Sequence, residues 1–186
     1  METITEQRLE LADTLDALTP EQWDAPTLCE GWRVREVVAH LTMPYRYSPR
    51  RFIAEMAKSG GNFNRMSDRR AKADARTIPA PELAAILRDN AGFEWKPPGG
   101  GLEGALSHDV VHSLDIIVPL GLSWRIPADR LLVVLNGLSP KRANYFGVDL
   151  TGVQLRATDA DWTYGSGKPV TGTLSDLVLY VCGRKL

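Results

Sequence analysis

His108 and His112 stand four residues apart in Gly104-Ala-Leu-Ser-His-Asp-Val-Val-His-Ser-Leu-Asp115, and they are two of only three histidines in the chain. On a helix turning about 100° per residue, that spacing puts both imidazoles on one face, with Asp115 following on the same stripe. The third histidine, His40, lies in Trp32-Arg-Val-Arg-Glu-Val-Val-Ala-His-Leu41, which also reads as helix. Neutral imidazole is a good ligand for zinc and its neighbours in the transition series, and a helical pair fixes two ligands with little loop entropy to lose. Two helices that brought His40, His108 and His112 together would hold one divalent ion and leave coordination positions open for water or an anionic substrate atom. Asp115 is then a candidate acceptor for an imidazole N–H, which sets the tautomer and orients the ring. By spacing alone, however, a helical histidine pair is more often a satisfied structural pair. Glu36, one turn before His40, has two readings, a partner or further ligand of the site or a first-turn acid that suits the helix dipole; the second is favoured.

The elements that must position these residues are set by apolar periodicity. Leu9, Leu11, Ala12, Leu15 and Leu18 recur at spacings of three and four, which predicts an amphipathic helix over residues 6–18. Thr19, Pro20 and Gln22 form a capping-box pattern that opens a short helix bearing Trp23. Val34, Val37, Val38 and Leu41 give the core face of the helix that carries His40. Pro44 and Pro49 interrupt that helix, residues 51–58 resume it, and Gly60-Gly61 ends it. Residues 62–76 read as a polar helix whose Arg65, Arg69, Lys72 and Arg76, interleaved with Asp68 and Asp74, form a solvated outer face. A helix over 81–89 with Leu83, Ile86 and Leu87 inward, and a connector Trp95-Lys-Pro-Pro-Gly-Gly-Gly101, lead to the helix of His108 and His112, predicted over 102–120 with Leu106, Val110, Leu114 and Ile117 as its apolar stripe. Residues 128–138 form another apolar helix.

Beyond Gly147 the pattern changes. Val153 to Ala157 alternates as a strand, Trp162-Thr-Tyr164 is its hairpin partner, Gly165-Ser-Gly-Lys-Pro169 is a turn, and residues 174–181 are helical. The turn is no phosphate cradle, because it lacks the leading glycine and has Pro169 where Ser or Thr is required.

Composition narrows the function classes. With 22 Lys and Arg against 23 Asp and Glu, the formal charge is -1, which argues against electrostatic binding to nucleic acid. No apolar run approaches the roughly 20 residues that span a bilayer, so no membrane partner is expected. Two cysteines, Cys29 and Cys182, and an N-terminus that carries acid where a signal peptide carries base, read as a reduced cytoplasmic protein. At 186 residues the chain has room for one well-buried core with a small appendage.

Thr27-Leu-Cys-Glu-Gly-Trp-Arg-Val-Arg-Glu-Val-Val-Ala-His-Leu-Thr42, with Leu18 to Pro26 before it, resembles the N-terminal signature of the mycothiol-dependent maleylpyruvate isomerase family, within the DinB-like superfamily of metal-binding four-helix bundles. The likeness resumes at Val111-His-Ser-Leu-Asp-Ile-Ile-Val-Pro-Leu-Gly121 and at Leu155-Arg-Ala-Thr-Asp-Ala-Asp-Trp162, and is least diagnostic between about Tyr45 and Gly101. The resemblance implies a mainly α, up-and-down four-helix bundle over residues 1–146 and a short C-terminal α+β extension over 147–186. It also implies a divalent ion, zinc foremost with nickel, manganese, cobalt or iron as alternatives, and a low-molecular-weight thiol such as mycothiol as cosubstrate. In the family the thiol is held at the metal as thiolate and adds to an activated double bond, which rotates before the thiol leaves.

Carried over, His40 and His112 match ligand positions. His108 stands where the isomerases have an acidic ligand and DinB-like relatives often have histidine, so a neutral ligand alters the charge of the site. The expected function is therefore thiol-dependent S-transfer or cis–trans isomerisation of a small electrophile, with His40, His108, His112 and Asp115 as the reacting site. Arg46 and Arg50 are candidates to hold the substrate or cosubstrate by paired hydrogen bonds. A metal-dependent hydrolase with Glu36 or Asp115 as base, or a non-catalytic metal-binding stress or interaction module, are the alternatives. A monomer or a homodimer is expected.

Overall fold

A computed structural model describes residues 1–97 and 99–184. Pro98, within the expected connector, and the last two residues lie outside the described residues. The chain begins with α1 (Glu2–Asp16), α2 (Pro20–Trp23), α3 (Val34–Leu41), α4 (Met43–Arg46), α5 (Pro49–Lys58), α6 (Phe63–Thr77) and α7 (Ala80–Asp89). It continues through α8 (Gly101–Ile117), α9 (Ala128–Asn136), α10 (Pro140–Tyr145), β1 (Val153–Ala157), β2 (Thr163–Gly165), β3 (Lys168–Gly172) and α11 (Leu174–Val181). The architecture is mainly α, as expected, with a small sheet near the C-terminus. No helix among the described residues is long and apolar enough to cross a membrane.

Helices α1, α3, α6 and α8 carry the bundle, with α3 packed on both α6 and α8, and α7 filling the side between α1 and α3. Two large apolar cores and a smaller cluster of Met43, Tyr47 and Met66 hold it. One joins Leu11, Leu15, Val34, Val37, Val38, Leu41, Leu83 and Leu87 with Trp23 and Trp32. The other joins Val110, Leu114 and Ile117 of α8 to Leu131 and Leu135 of α9 and to Leu155, Leu174, Leu177 and Val178 of the C-terminal elements. Burying such a side chain is worth roughly 1.5–3 kcal/mol, which is what draws the sheet and α11 onto α8 and α9.

Local chemistry sets the helix ends. Thr19 accepts from the Gln22 backbone while the Gln22 side chain accepts from the Thr19 backbone, the reciprocal cap expected from the sequence. Thr173 and Asp176 make the same arrangement at the start of α11. α1 starts at Glu2 rather than near Glu6, because its buried side includes Gln7 and Arg8, polar residues that an apolar pattern passes over, while Leu9 faces outward. α10 was not expected; Ser139 caps it, and its Ala143 alone is buried.

The segment after Gly165 departs from expectation as well. Lys168 and Pro169, read as the end of a turn, instead open a third strand, Lys168 to Gly172, that pairs parallel to β1 while β2 pairs antiparallel, with Leu155 beside both Tyr164 and Val170. Gly167 makes this possible. Its φ is +125° and an added Cβ would collide with the Gly152 carbonyl oxygen, so only glycine lets the backbones approach.

Candidate metal centre

His40 sits near the end of α3, and His108 and His112 one turn apart on α8, so the α3–α8 contact brings three imidazoles from two distant stretches to one point. One ring nitrogen from each lies within 4.8 Å of the others. Ring centroids are 4.8 Å apart for His108 and His112, 4.9 Å for His40 and His108, and 5.0 Å for His40 and His112. The Nε2 atoms of His40 and His108 face each other at 3.0 Å.

The outward nitrogens are all occupied. His112 Nδ1 is 2.9 Å from Asp115 Oδ2, His108 Nδ1 is 3.1 Å from Asp109 Oδ1, and His40 Nδ1 is 2.9 Å from Ser67 Oγ. A carboxylate only accepts, so Nδ1 of His108 and His112 must carry the proton and their Nε2 lone pairs are left free. With Ser67 accepting from His40 Nδ1–H, all three Nε2 lone pairs converge on one point, while in the other tautomer His40 Nε2–H donates to His108. Zinc–nitrogen bonds of about 2.0–2.1 Å in a tetrahedron place ligand nitrogens roughly 3.4 Å apart, within the span seen here. The donor set therefore fits a divalent ion.

Electrostatics favour neutral rings. Burial lowers the pKa of His40 well below the ordinary value, and the neighbouring imidazoles of His108 and His112 push the same way. Burial also lowers that of His112, although Asp115 works against it. Both can ligate at neutral pH without first losing a proton.

Each carboxylate behind a ring is itself anchored. Asp115 is fully buried, and Arg184, just past α11, clamps it with Nε to Oδ1 at 2.7 Å and Nη2 to Oδ2 at 2.8 Å. Burial works against ionisation of Asp115, but the hydrogen bonds from Arg184 and His112 outweigh it and hold the carboxyl below its usual range. Asp109 is paired with the buried Arg8 at 2.7 Å, and Arg8 in turn donates to the carbonyls of Ala91 and Phe93. Trp32 tilts over His40 and stacks toward His112, with its indole N–H held by Asp68, and the Trp95 ring meets His108 edge-on. These rings screen the imidazoles, yet 18% of the His108 side chain remains exposed. Two open clefts of about 240 and 300 Å³ lie elsewhere, and none of the three histidines lines either one.

Other expected residues take different positions. Glu36 is bound by Arg33 through both side chain and backbone, the helix-start role favoured from the sequence. Arg46 spends its three nitrogens on Thr42, Asp74 and the Ala39 carbonyl, and Arg50 is exposed on α5. Asp109 adjoins His108 in sequence, so its role had a local signal. Ser67, Arg8 and Arg184 had none. Burial pushes the Cys29 thiol up to about 11, with Asp115 adding to it, and the Cys182 thiol up to about 12, so neither supplies a thiolate at neutral pH.

The sequence profile of the mycothiol maleylpyruvate isomerase N-terminal domain matches residues 4–92. Over those residues the chain is similar to that family's N-terminal domain. A crystal structure of the mycothiol-dependent maleylpyruvate isomerase superposes with a TM-score of 0.51 at 18% identity, over 97% of this chain and 90% of that one, a likeness that speaks for the fold. A structure of a histidine-to-alanine mutant of the isomerase has a TM-score of 0.46 at 19% identity, over the same shares of the two chains. No curated protein matches the sequence significantly. The isomerase domain profile covers α1 to α7 and so includes His40, while His108 and His112 lie beyond it.

Proposed function

We propose that this protein is a divalent-metal-dependent enzyme that uses a low-molecular-weight thiol, mycothiol or a relative, for cis–trans isomerisation or S-transfer on a small electrophile. In this reading His40, His108 and His112 are the metal ligands and Asp115 positions His112. Residues 1–146 form the metal-binding unit, and 147–186 an extension that supports it. The observation that carries the reading is the convergence of three ring nitrogens whose far sides are held by Asp115, Asp109 and Ser67. Similarity to the isomerase domain over residues 4–92 supports the thiol as cosubstrate.

A bound divalent ion, zinc foremost, would supply Lewis acidity that keeps a sulfur ionised at neutral pH. The protein's own part is to hold and orient. Asp115 and Asp109 keep a proton on Nδ1 of their histidines, which fixes the tautomer that leaves Nε2 basic. Trp32 and Trp95 exclude bulk water from two sides, and the exposed edge of His108 marks the open one. A hydrolytic reading needs a free general base, but Asp115, Asp109 and Glu36 are each committed to an arginine.

The test is metal analysis by mass spectrometry of purified protein beside His112→Ala, joined to a thiol-consumption assay over small electrophiles. One equivalent of metal in the wild type and little in the variant is expected. Equal metal in both sinks the site. Thiol consumption that is indifferent to a chelator sinks the chemistry.

A further inference from the structure

The surface between α4, α5 and α6 holds more positive than negative charge. Asp74, nearly fully buried, accepts from Arg46 Nη1 at 2.7 Å, from the Tyr47 hydroxyl at 2.7 Å and from Arg70 Nη2 at 2.5 Å, and Arg51 Nη2 stands 3.9 Å away. The Tyr47 ring is the floor of the group. The Arg51 guanidinium lies 4.0 Å over its centroid, and Arg70 Nε donates to its hydroxyl at 2.6 Å. One carboxylate thus answers three guanidinium groups. The other acids of α5 and α6 are already taken, Glu55 by Lys58 and Arg69 and Asp68 by Lys72 and Trp32.

Whole nitrogens are left unengaged in two of the three arginines. Each nitrogen of Arg46 makes a hydrogen bond, but Arg70 Nη1 and the whole Arg51 guanidinium make none among the described residues, and these side chains are 17% and 45% exposed. A planar guanidinium with free N–H groups, stiffened by a ring beneath it, matches a carboxylate bidentately. The surplus positive charge raises the local concentration of anions. The group lies behind His40, on the side of the ring turned away from the metal centre. Ser67, which touches His40, precedes Arg70 by one turn of α6, a rise of about 4.5 Å, and Arg46 holds the carbonyl of Ala39, the residue before His40.

We propose that Arg51 and Arg70, laid on Tyr47 and braced by Asp74 and Arg46, bind a small carboxylate at a surface site behind His40, separate from the three histidines. The proposal does not rest on the function proposed above. Arg46, expected as a direct contact, becomes the brace, and Arg51 takes the place expected of its neighbour Arg50.

The experiment is isothermal titration of the metal-loaded protein with maleate at low ionic strength, repeated with inorganic phosphate. Maleate should bind, more tightly than phosphate, and Arg51→Ala should weaken it about tenfold, the loss of a charge-assisted hydrogen bond. Metal content in anion-free buffer should not change for Arg51→Ala, and the melting temperature should fall only slightly, since the half-exposed side chain makes no hydrogen bond and loses only its stacking on Tyr47. Arg70→Gln should weaken maleate comparably. Equal maleate affinity in the wild type and Arg51→Ala overturns the site, and tighter binding of phosphate overturns the assignment to a carboxylate. A final titration on chelator-stripped protein separates this proposal from the metal reading. Maleate binding that persists there supports the arginine site even if the metal reading fails, whereas binding that vanishes with the ion places the carboxylate on the metal and overturns it.

Discussion

At the scale of single residues, the centre is built from pairs in which one member was visible in the sequence and the other was not. His112 and Asp115 were visible as neighbours on one stripe, because helical spacing makes that contact local. Arg184, which clamps Asp115 across 69 residues of chain, was not. Removing it leaves a fully buried carboxylate with the neutral His112 as its remaining hydrogen-bond partner, a situation that costs more than the pair itself contributes. Arg184→Ala is therefore expected to lower metal affinity by about 10–100-fold, with Arg184→Lys recovering part of the loss because a single ammonium cannot reproduce the two-pronged contact. Competition with a fluorescent zinc chelator measures this. Unchanged affinity in Arg184→Ala would show that Asp115 holds the ring unaided.

At the scale of elements, α11 matters to the centre although it contributes no ligand. Its start is fixed by the Thr173–Asp176 cap, its Leu174, Leu177 and Val178 lock into the core, and its far end delivers Arg184. Thr173→Ala removes one cap acceptor and should cost about 1 kcal/mol of stability, read by urea unfolding. Metal content should stay near one equivalent, since the packed core still aims Arg184. Gly167→Ala is a harsher change, because at φ +125° the new methyl group meets the Gly152 carbonyl. It should separate β3 from β1 and lower the melting temperature more than Thr173→Ala does; an equal or smaller effect would mean that the β1–β3 contact is dispensable.

For the whole molecule, burying imidazoles at a shared point ties stability to pH. In metal-free protein the folded-state pKa values of His40 and His112 are depressed, chiefly by burial. The unfolded chain therefore binds more protons than the folded one once pH falls below the ordinary histidine value of 6.5. Their contribution is intact above about pH 6.5 and is lost progressively as pH drops from there toward the lowered folded-state values. Chelator-treated protein should show a flat melting temperature from about pH 7 to 8 and a decline below about 6.5, with His40→Asn flattening part of that decline. A melting temperature that rises on acidification through this range would contradict neutral buried rings.

What the sequence determined by itself is what short-range physics controls. The i, i+4 pair His108 and His112, the apolar stripes of α3 and α8, the reciprocal cap at Thr19 and the strand at Val153 to Ala157 all depend on contacts between near neighbours, whose geometry spacing alone sets. The mainly helical class came from the same periodicities. Tertiary structure alone decided which polar residues turn inward. Arg8, Asp74 and Arg130 are buried because each meets partners from other elements, and a charged residue in isolation carries no mark of that burial. It also decided that β3 pairs parallel to β1, a non-local choice that a Lys-Pro start conceals. Above all it brought His40 to His108 across 68 residues, with Ser67, Asp109 and Arg184 closing in behind the rings, because the free energy of that convergence comes from the packing of α3 on α8 and not from any stretch of chain that contains a histidine.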